Sequence, residues 1–301
     1  MDTRKVAVLV NVAAGKADAG PQLREIEEAF AALGVEPKIW PARSGADLKQ
    51  AAKEAIGLGF PVIVAAGGDG TVSKVADTLA GSEAALGILP TGTLNHFAKD
   101  LNLPLDIGEA AATITEGHTV AVDAGRVNDK GFINNASIGV YPQLITFRER
   151  MQKKGLSKWM ALIPAALAVM VKAPARLRVR LSVEGKDIEM TTNIIFVGNN
   201  EYEISGLRIG IRKRVDQGVL SLYLSRRTTR RGLVGLLFRA LLGNLRRGAG
   251  EPDFDAYRAQ EFWIDSDRKR LETALDGELV SLETPLHFRA QPRALKVIVK
   301  R

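Results

Sequence analysis

Solid apolar runs occupy the first part of the chain and alternating ones the second. Residues 5–11 (KVAVLVN), 61–66 (PVIVAA) and 85–90 (ALGILP) are apolar almost throughout, the pattern of strands covered on both faces. Between and after them the chain reads as helix. One is predicted from Pro21 to Leu33 with proline in its first turn, one over 46–58 ending near Gly59, and one from Thr71 to Ala80. VEPKIW predicts a short strand, and short helices are expected over Asn95 to Leu101 and Ile107 to Glu116. This alternation predicts a parallel sheet with helices on both faces. From about residue 118 onward the period becomes two, in HTVAVDAGRVN, GFINNASIGV, RLRVRLSVEG, MTTNIIFVGN, GVLSLYLS, AQEFWIDS, LVSLETPLHF and LKVIVK. The fold expected is an α/β domain over 1–125 followed by an antiparallel β-sandwich or barrel over 126–301. Two helical inserts, at about 143–172 and 228–247, interrupt the second domain.

One turn between these elements carries unusual chemistry. Residues 67–71 (GGDGT) leave an apolar strand and enter a helix. In an open parallel sheet, ligands bind beyond the carboxyl ends of the strands, and helix N-terminal amides favour phosphate. Gly67, Gly68 and Gly70 let the backbone approach a ligand, yet a bare Asp69 would repel an anion. A Mg²⁺ ion resolves the conflict, because it takes carboxylate and phosphate oxygens together. The turn therefore reads as a Mg²⁺–nucleotide site with Asp69 on the metal. A structural Asp-Gly turn capped by Thr71 is the alternative. The first strand is followed by NVAAGK rather than G-x-G-x-x-G, and G-x-x-x-x-G-K-[ST] is missing, so neither a dinucleotide fingerprint nor a P-loop is present.

Three further stretches fit the same site. NVAAGK (11–16) offers Gly15 and Lys16 to the phosphates, or is a plain turn with a surface lysine. PTGTLNHFAKDL (90–101) offers Thr93 and Asn95 as phosphate contacts or helix caps. LDGELVSLE (275–283) places Asp276 and Glu278 around Gly277; on a strand they would share a face, and a hairpin turn is the alternative. His96, His118 and His287 show no metal-ligand spacing.

Composition narrows the field. The absence of cysteine excludes disulfides, a cysteine nucleophile and thiolate metal sites. The opening MDTRKVAVLVNVAAGK lacks the form of a signal peptide. The longest apolar run, Trp159 to Val171, is too short to span a bilayer and contains Pro164. A cytoplasmic protein, at most membrane-associated, is expected. The net charge of +8 reflects either an anionic partner or solubility alone. Residues 226–248 (RRTTRRGLVGLLFRALLGNLRRG) form a basic amphipathic helix on paper, suited to an anionic membrane surface or to packing on the sandwich with an arginine rim. Aromatic residues do not interleave with the basic ones, which argues against nucleic acid.

GGDGT followed about twenty residues later by PTGTLNHFA, with a late DGE, resembles the diacylglycerol kinase catalytic family, chiefly its bacterial soluble lipid kinases related to sphingosine and ceramide kinases. The resemblance covers nearly the whole chain and is strongest at 5–140 and 271–282. It implies an ATP-binding α/β domain, a β-sandwich lipid-substrate domain, and transfer of the γ-phosphoryl group of ATP to a lipid hydroxyl such as that of diacylglycerol. It implies that Gly67, Gly68, Asp69, Gly70 and Thr71 bind ATP with Thr93 and Asn95. It implies that Asp69 and Asp123 shape the Mg²⁺–phosphate centre. It also implies that Glu278 is the base, with Asp276 as its metal-side or orienting partner. A lipid substrate implies transient contact with the membrane surface, for which the 228–247 helix is the candidate. Monomer and homodimer both stay open. The sequence departs from the family where many members hold a structural Mg²⁺ by an Asp-Gly pair: here the residues are Asp216, Gln217 and Gly218. Pro41 stands near where a nucleotide-contacting threonine is common. NAD kinases also carry GGDGT and are the alternative enzyme, and a non-catalytic nucleotide- or lipid-binding protein on the same scaffold is the alternative class.

Overall fold

A computed structural model of the protein describes residues 5–12, 20–140, 142, 176–183, 185–205, 208–212, 214–226 and 254–301. Gly15, Lys16, the run Trp159 to Val171 and both expected inserts, 143–172 and 228–247, lie outside the described residues. Contacts divide the chain into two units, Met1–Ala124 with Gln291–Arg301, and Gly125–Ala290.

The first unit holds β1 (Val6–Asn11), α1 (Gly20–Ala31), β2 (Lys38–Ala42), α2 (Gly45–Gly57), β3 (Val62–Gly67), α3 (Asp69–Leu79), β4 (Ala85–Pro90), α4 (His96–Asp100) and α5 (Ile107–Glu116). Next, β5 (His118–Val127) runs on into the second unit. The four strands β2-β1-β3-β4 are parallel. β3 and β4 are buried at every position, as solid apolar runs require when helices cover both faces. Val6, Val8 and Val10 pack with Ile26 and Phe30 of α1 and with Ala110, Ala111 and Ile114 of α5. α2 and α3 pack on each other and on the strands, burying Leu48, Ala52, Val72, Val75 and Leu79. Pro41 is tolerated because β2 is an edge strand. Ser44 caps α2 by accepting the Asp47 N–H, while Asp47 accepts the Arg43 N–H. The Ser44 hydroxyl beside the Asp47 carboxylate foremost, and then the Arg43 N–H, hold that carboxyl below its usual range.

The second unit holds β6 (Lys130–Phe132), β7 (Asn135–Gly139), β8 (Leu177–Val183), β9 (Lys186–Thr192), β10 (Ile194–Asn199), β11 (Tyr202–Ser205), β12 (Arg208–Arg212), β13 (Leu220–Ser225), β14 (Phe254–Ala259), β15 (Glu261–Ser266), β16 (Arg270–Leu275) and β17 (Glu278–Glu283). It also takes the start of β18 (Leu286–Val299). One antiparallel sheet runs β14-β13-β10-β7-β16-β17, and β18, β15, β8 and β9 pair antiparallel in the other. Alternation puts Leu177, Val179, Leu181, Phe262, Ile264 and Phe288 from one sheet against Ile138, Ile195, Val197, Leu222, Leu224 and Leu271 from the other. The sandwich expected from period two is therefore present. The run MTTNIIFVGN is two strands rather than one: Thr192 ends β9 and Ile194 begins β10, in different sheets.

Two further expectations shift. α3 begins at Asp69 rather than Thr71, because the N–H groups of Thr71 and Val72 both donate to Gly68 O and draw Asp69 into the first turn. The expected boundary assigned everything from 126 to 301 to the second domain. In the structure residues 291–301 rejoin the first unit, where Lys296 and Val297 pair in parallel with Ala85 and Leu86 of β4.

Candidate active site

In the first unit, side chains stitch together the loops that leave β1, β3 and β4. Asn11 Nδ2 donates to Thr71 Oγ1 at 3.0 Å, and Gln22 Nε2 of α1 donates to Thr91 Oγ1 at 3.2 Å. The Thr91 N–H donates to Gly67 O at 3.2 Å. Asn95 stands in the left-handed region (φ 50°, ψ 49°), which asparagine tolerates. Its buried amide donates to Pro90 O at 3.2 Å and Gly92 O at 2.9 Å. The β3 and β4 loops meet backbone to backbone: a Cβ on Gly92 would lie 2.3 Å from Gly68 Cα, and one on Gly67 would lie 2.3 Å from Thr71 Oγ1. Glycine is thus required at both positions by close approach within the molecule.

Asp69 joins this cluster. It occupies the first turn of α3, and its Oδ1 accepts the Phe97 N–H at 3.4 Å, at the start of α4. A carboxylate is favoured at a helix N-terminus, where amide dipoles leave partial positive charge. Asn95 holds the N-cap position of α4 yet makes no capping bond with its side chain, so Asp69 caps that helix from another loop. Asp69 is half-buried, and among the described residues its Oδ2 makes no hydrogen bond. Mg²⁺ keeps several waters and needs only one or two carboxylates beside substrate phosphates. One carboxylate oxygen with no hydrogen bond among the described residues, in a turn of glycines, fits that demand. Thr93 is exposed on the neighbouring loop, while Thr71 is buried with its hydroxyl held by Asn11.

Asp123 is buried at 1% exposure, and its Oδ1 accepts the Arg293 N–H at 2.8 Å, tying β5 to the bend in β18. In the second unit, Asp276 (φ 47°) and Gly277 (φ 85°) form the two-residue turn between β16 and β17. Of the two arrangements open for Asp276 and Glu278, a shared strand face and a hairpin turn, the structure has the turn. Positive φ at both turn residues takes Asp276 off the strand, and only Glu278 belongs to β17, opposite Leu275 and exposed. The Asp276 carboxylate accepts three backbone N–H groups, from Ile133 (2.9 Å), Asn134 (2.8 Å) and Asn135 (3.0 Å). Those bonds tie the turn to residues 133–135.

At the corner 214–218 the described side chains bond to one another and to a neighbouring backbone. Asp216 accepts from the Arg214 guanidinium through both oxygens, at 3.0 and 3.2 Å. Gln217 Oε1 accepts the Glu201 N–H at 3.1 Å, and the Gln217 N–H donates to Asn200 Oδ1 at 2.9 Å. Sequence reasoning passed over Asn11, Gln22, Thr91 and Gly92, which hold the loops together. A polar side chain at the end of a buried strand was the available signal for Asn11; Gln22 and Thr91 carry none, because their bond joins distant segments.

Two family models match the chain in succession. Residues 5–127 match the diacylglycerol kinase catalytic domain, and residues 149–299 match the YegS C-terminal NAD kinase beta sandwich-like domain. A YegS-like probable lipid kinase of Klebsiella pneumoniae (strain 342) is 32% identical over 213 residues, 69% of this chain and 70% of that one. This chain belongs to the diacylglycerol kinase catalytic family. A YegS-like relative from Pseudomonas aeruginosa (strain UCBPP-PA14) is 29% identical over 99% of this chain and 95% of its own. A diacylglycerol kinase of Bacillus subtilis (strain 168) is 35% identical over 144 residues, 47% of this chain and 48% of its own. A diacylglycerol kinase structure from Bacillus anthracis str. Sterne superposes with a TM-score of 0.71 at 24% identity, covering 99% of this chain and 97% of that one. A second structure from that organism reaches 0.77 at 26% identity with the same coverage. Members of the diacylglycerol kinase catalytic family are phosphotransferases with an alcohol acceptor, and this chain is one of them. Gly67 to Asn95 and Asp123 fall within the first matched segment, Asp276 and Glu278 within the second. Among the described residues, no helix is long and apolar enough to cross a membrane.

Proposed function

We propose that this chain transfers the γ-phosphoryl group of ATP to the hydroxyl of a lipid of the diacylglycerol class. The observation that carries the reading is Asp69, whose Oδ2 stands without a hydrogen bond among the described residues at the start of α3, in a loop pair closed by Gly68 and Gly92. Names borne by the relatives support the acceptor class. Bound Mg²⁺–ATP supplies the phosphoryl group and the charge that balances it. In this reading Asp69 holds the metal, and Gly67, Gly68, Gly70 and the exposed Thr93 offer backbone and hydroxyl groups to the nucleotide. Thr71 and Asn95 hold the loops in shape through the bonds to Asn11, Pro90 and Gly92. Asp123 acts through the backbone it ties down. The exposed carboxylate of Glu278 accepts the proton of the lipid hydroxyl as its oxygen forms the new bond to phosphorus and ADP departs. Asp276 keeps the turn that carries Glu278 in place. Phosphoryl transfer draws mostly on positioning and charge, which suits a site made of loop ends.

Purified protein with Mg²⁺ and γ-labelled ATP is expected to label diacylglycerol in mixed micelles and to leave NAD unlabelled. Label on NAD, with none on lipid, moves the assignment to NAD kinase; label on neither leaves a binding protein. On sequence grounds the basic stretch 226–248 is assigned to transient contact with anionic membrane. Replacing Arg230, Arg231, Arg246 and Arg247 by glutamine is expected to abolish sedimentation with anionic vesicles, and unchanged sedimentation removes that assignment.

A further inference from the structure

A buried arginine in the second unit takes no part in the reading above. Arg212, the last residue of β12, is 4% exposed. Its Nη1 donates to Ile133 O at 2.6 Å and to Asn199 O at 3.3 Å, and its Nη2 donates to Asn134 Oδ1 at 2.8 Å. The guanidinium lies 5.5 Å from the centre of the Tyr202 ring, and the Tyr202 hydroxyl donates to Asn134 O at 2.9 Å. Two of its three acceptors, Ile133 O and Asn134 Oδ1, belong to the same short segment whose N–H groups bind Asp276. Residues 133–135 thus present three N–H groups to a carboxylate, while Ile133 O and Asn134 Oδ1 accept from a guanidinium. A negative charge at the N–H ends and a positive charge at the oxygens strengthen each other's bonds through the segment.

We propose that Arg212 is a positioning residue for the turn that carries Glu278, acting through the segment 133–135. The inference rests on the reading of Glu278 as the base. Its geometric core is a chain of references: Arg212 places Ile133 and Asn134, the Asp276 carboxylate binds Ile133, Asn134 and Asn135, the Asp276 N–H donates to Asn135 O at 2.9 Å, and Glu278 follows two residues later. Strand pairing alone would not require a buried cation here. Ala136 of β7 already pairs with Leu275 of β16 through the ladder itself. What the guanidinium adds is a planar fork that fixes acceptors on two consecutive residues, which a lysine ammonium cannot reproduce.

The test compares wild type with Arg212→Lys and with Asn134→Ala, which removes the carboxamide whose oxygen Nη2 grips. Thermal melts establish that each variant folds. Hydrogen exchange read by mass spectrometry over residues 274–280 is the readout independent of activity. Both variants are expected to melt cooperatively and to exchange faster over 274–280. Their kcat on diacylglycerol is expected to fall by about ten- to a hundredfold while KM for ATP stays within about twofold. A folded variant of either kind with wild-type exchange and wild-type kcat overturns the proposal. If wild type phosphorylates no lipid, the functional reading falls, and the exchange comparison alone decides whether Arg212 holds the turn.

Discussion

Asp69→Asn is expected to abolish lipid phosphorylation while leaving the melting temperature close to that of wild type. The substitution keeps a side-chain oxygen in the place where Oδ1 accepts the Phe97 N–H, so the cap on α4 survives. It removes only the charge. If Asp69 served merely as a cap and a favourable charge at the start of α3, the variant would lose a fraction of 1 kcal/mol of stability and no activity. If it holds the metal that neutralises the phosphates, the loss of a preorganised electrostatic partner costs about 10²–10³ in kcat or more. Steady-state assay of the folded variant separates the two. Activity within a few-fold of wild type would return Asp69 to a structural role and remove the foundation of the ATP assignment.

Glu278→Gln is expected to lower kcat by about 10²–10⁴ with little effect on stability, the range for loss of a general base. Glu278 is exposed at the first position of β17, so glutamine meets no new packing demand. The neighbouring Asp276→Asn should behave differently. That substitution replaces an acceptor of three backbone N–H groups with an amide of lower accepting capacity, so it should lower the melting temperature as well as kcat. Measuring both variants by thermal melt and by turnover distinguishes chemistry from scaffolding within one turn. Full turnover in Glu278→Gln would remove the base from this residue.

Much of the first unit was legible in sequence because its strands are buried on both faces, and solid apolar runs such as PVIVAA admit few other readings. The GGDGT turn was legible for a related reason, since a charge among glycines at a strand end is out of place in an ordinary turn. The rest depended on contacts between residues far apart in sequence. Nothing local marks Asn95 as left-handed with its amide turned back onto Pro90 and Gly92, and capping was the bland expectation for it. For Asp276 and Glu278 a shared strand face and a hairpin turn both stay open in sequence, because the spacing i, i+2 is identical in a strand and across a two-residue turn; only φ distinguishes them. Arg212 was one basic residue among many until its acceptors, about eighty positions earlier, were seen.

The return of β18 has a consequence for biosynthesis. β4 lies between β3 and the end of β18, and that last partner is translated more than 190 residues after β4 itself. Throughout translation of residues 125–290, one side of β4 therefore lacks its native neighbour. A nascent parallel sheet with an unpaired apolar border is open to wrong pairing with other chains. Completion of the first unit thus waits on synthesis of residues 291–301, and a fragment ended before residue 291 would keep that border uncovered.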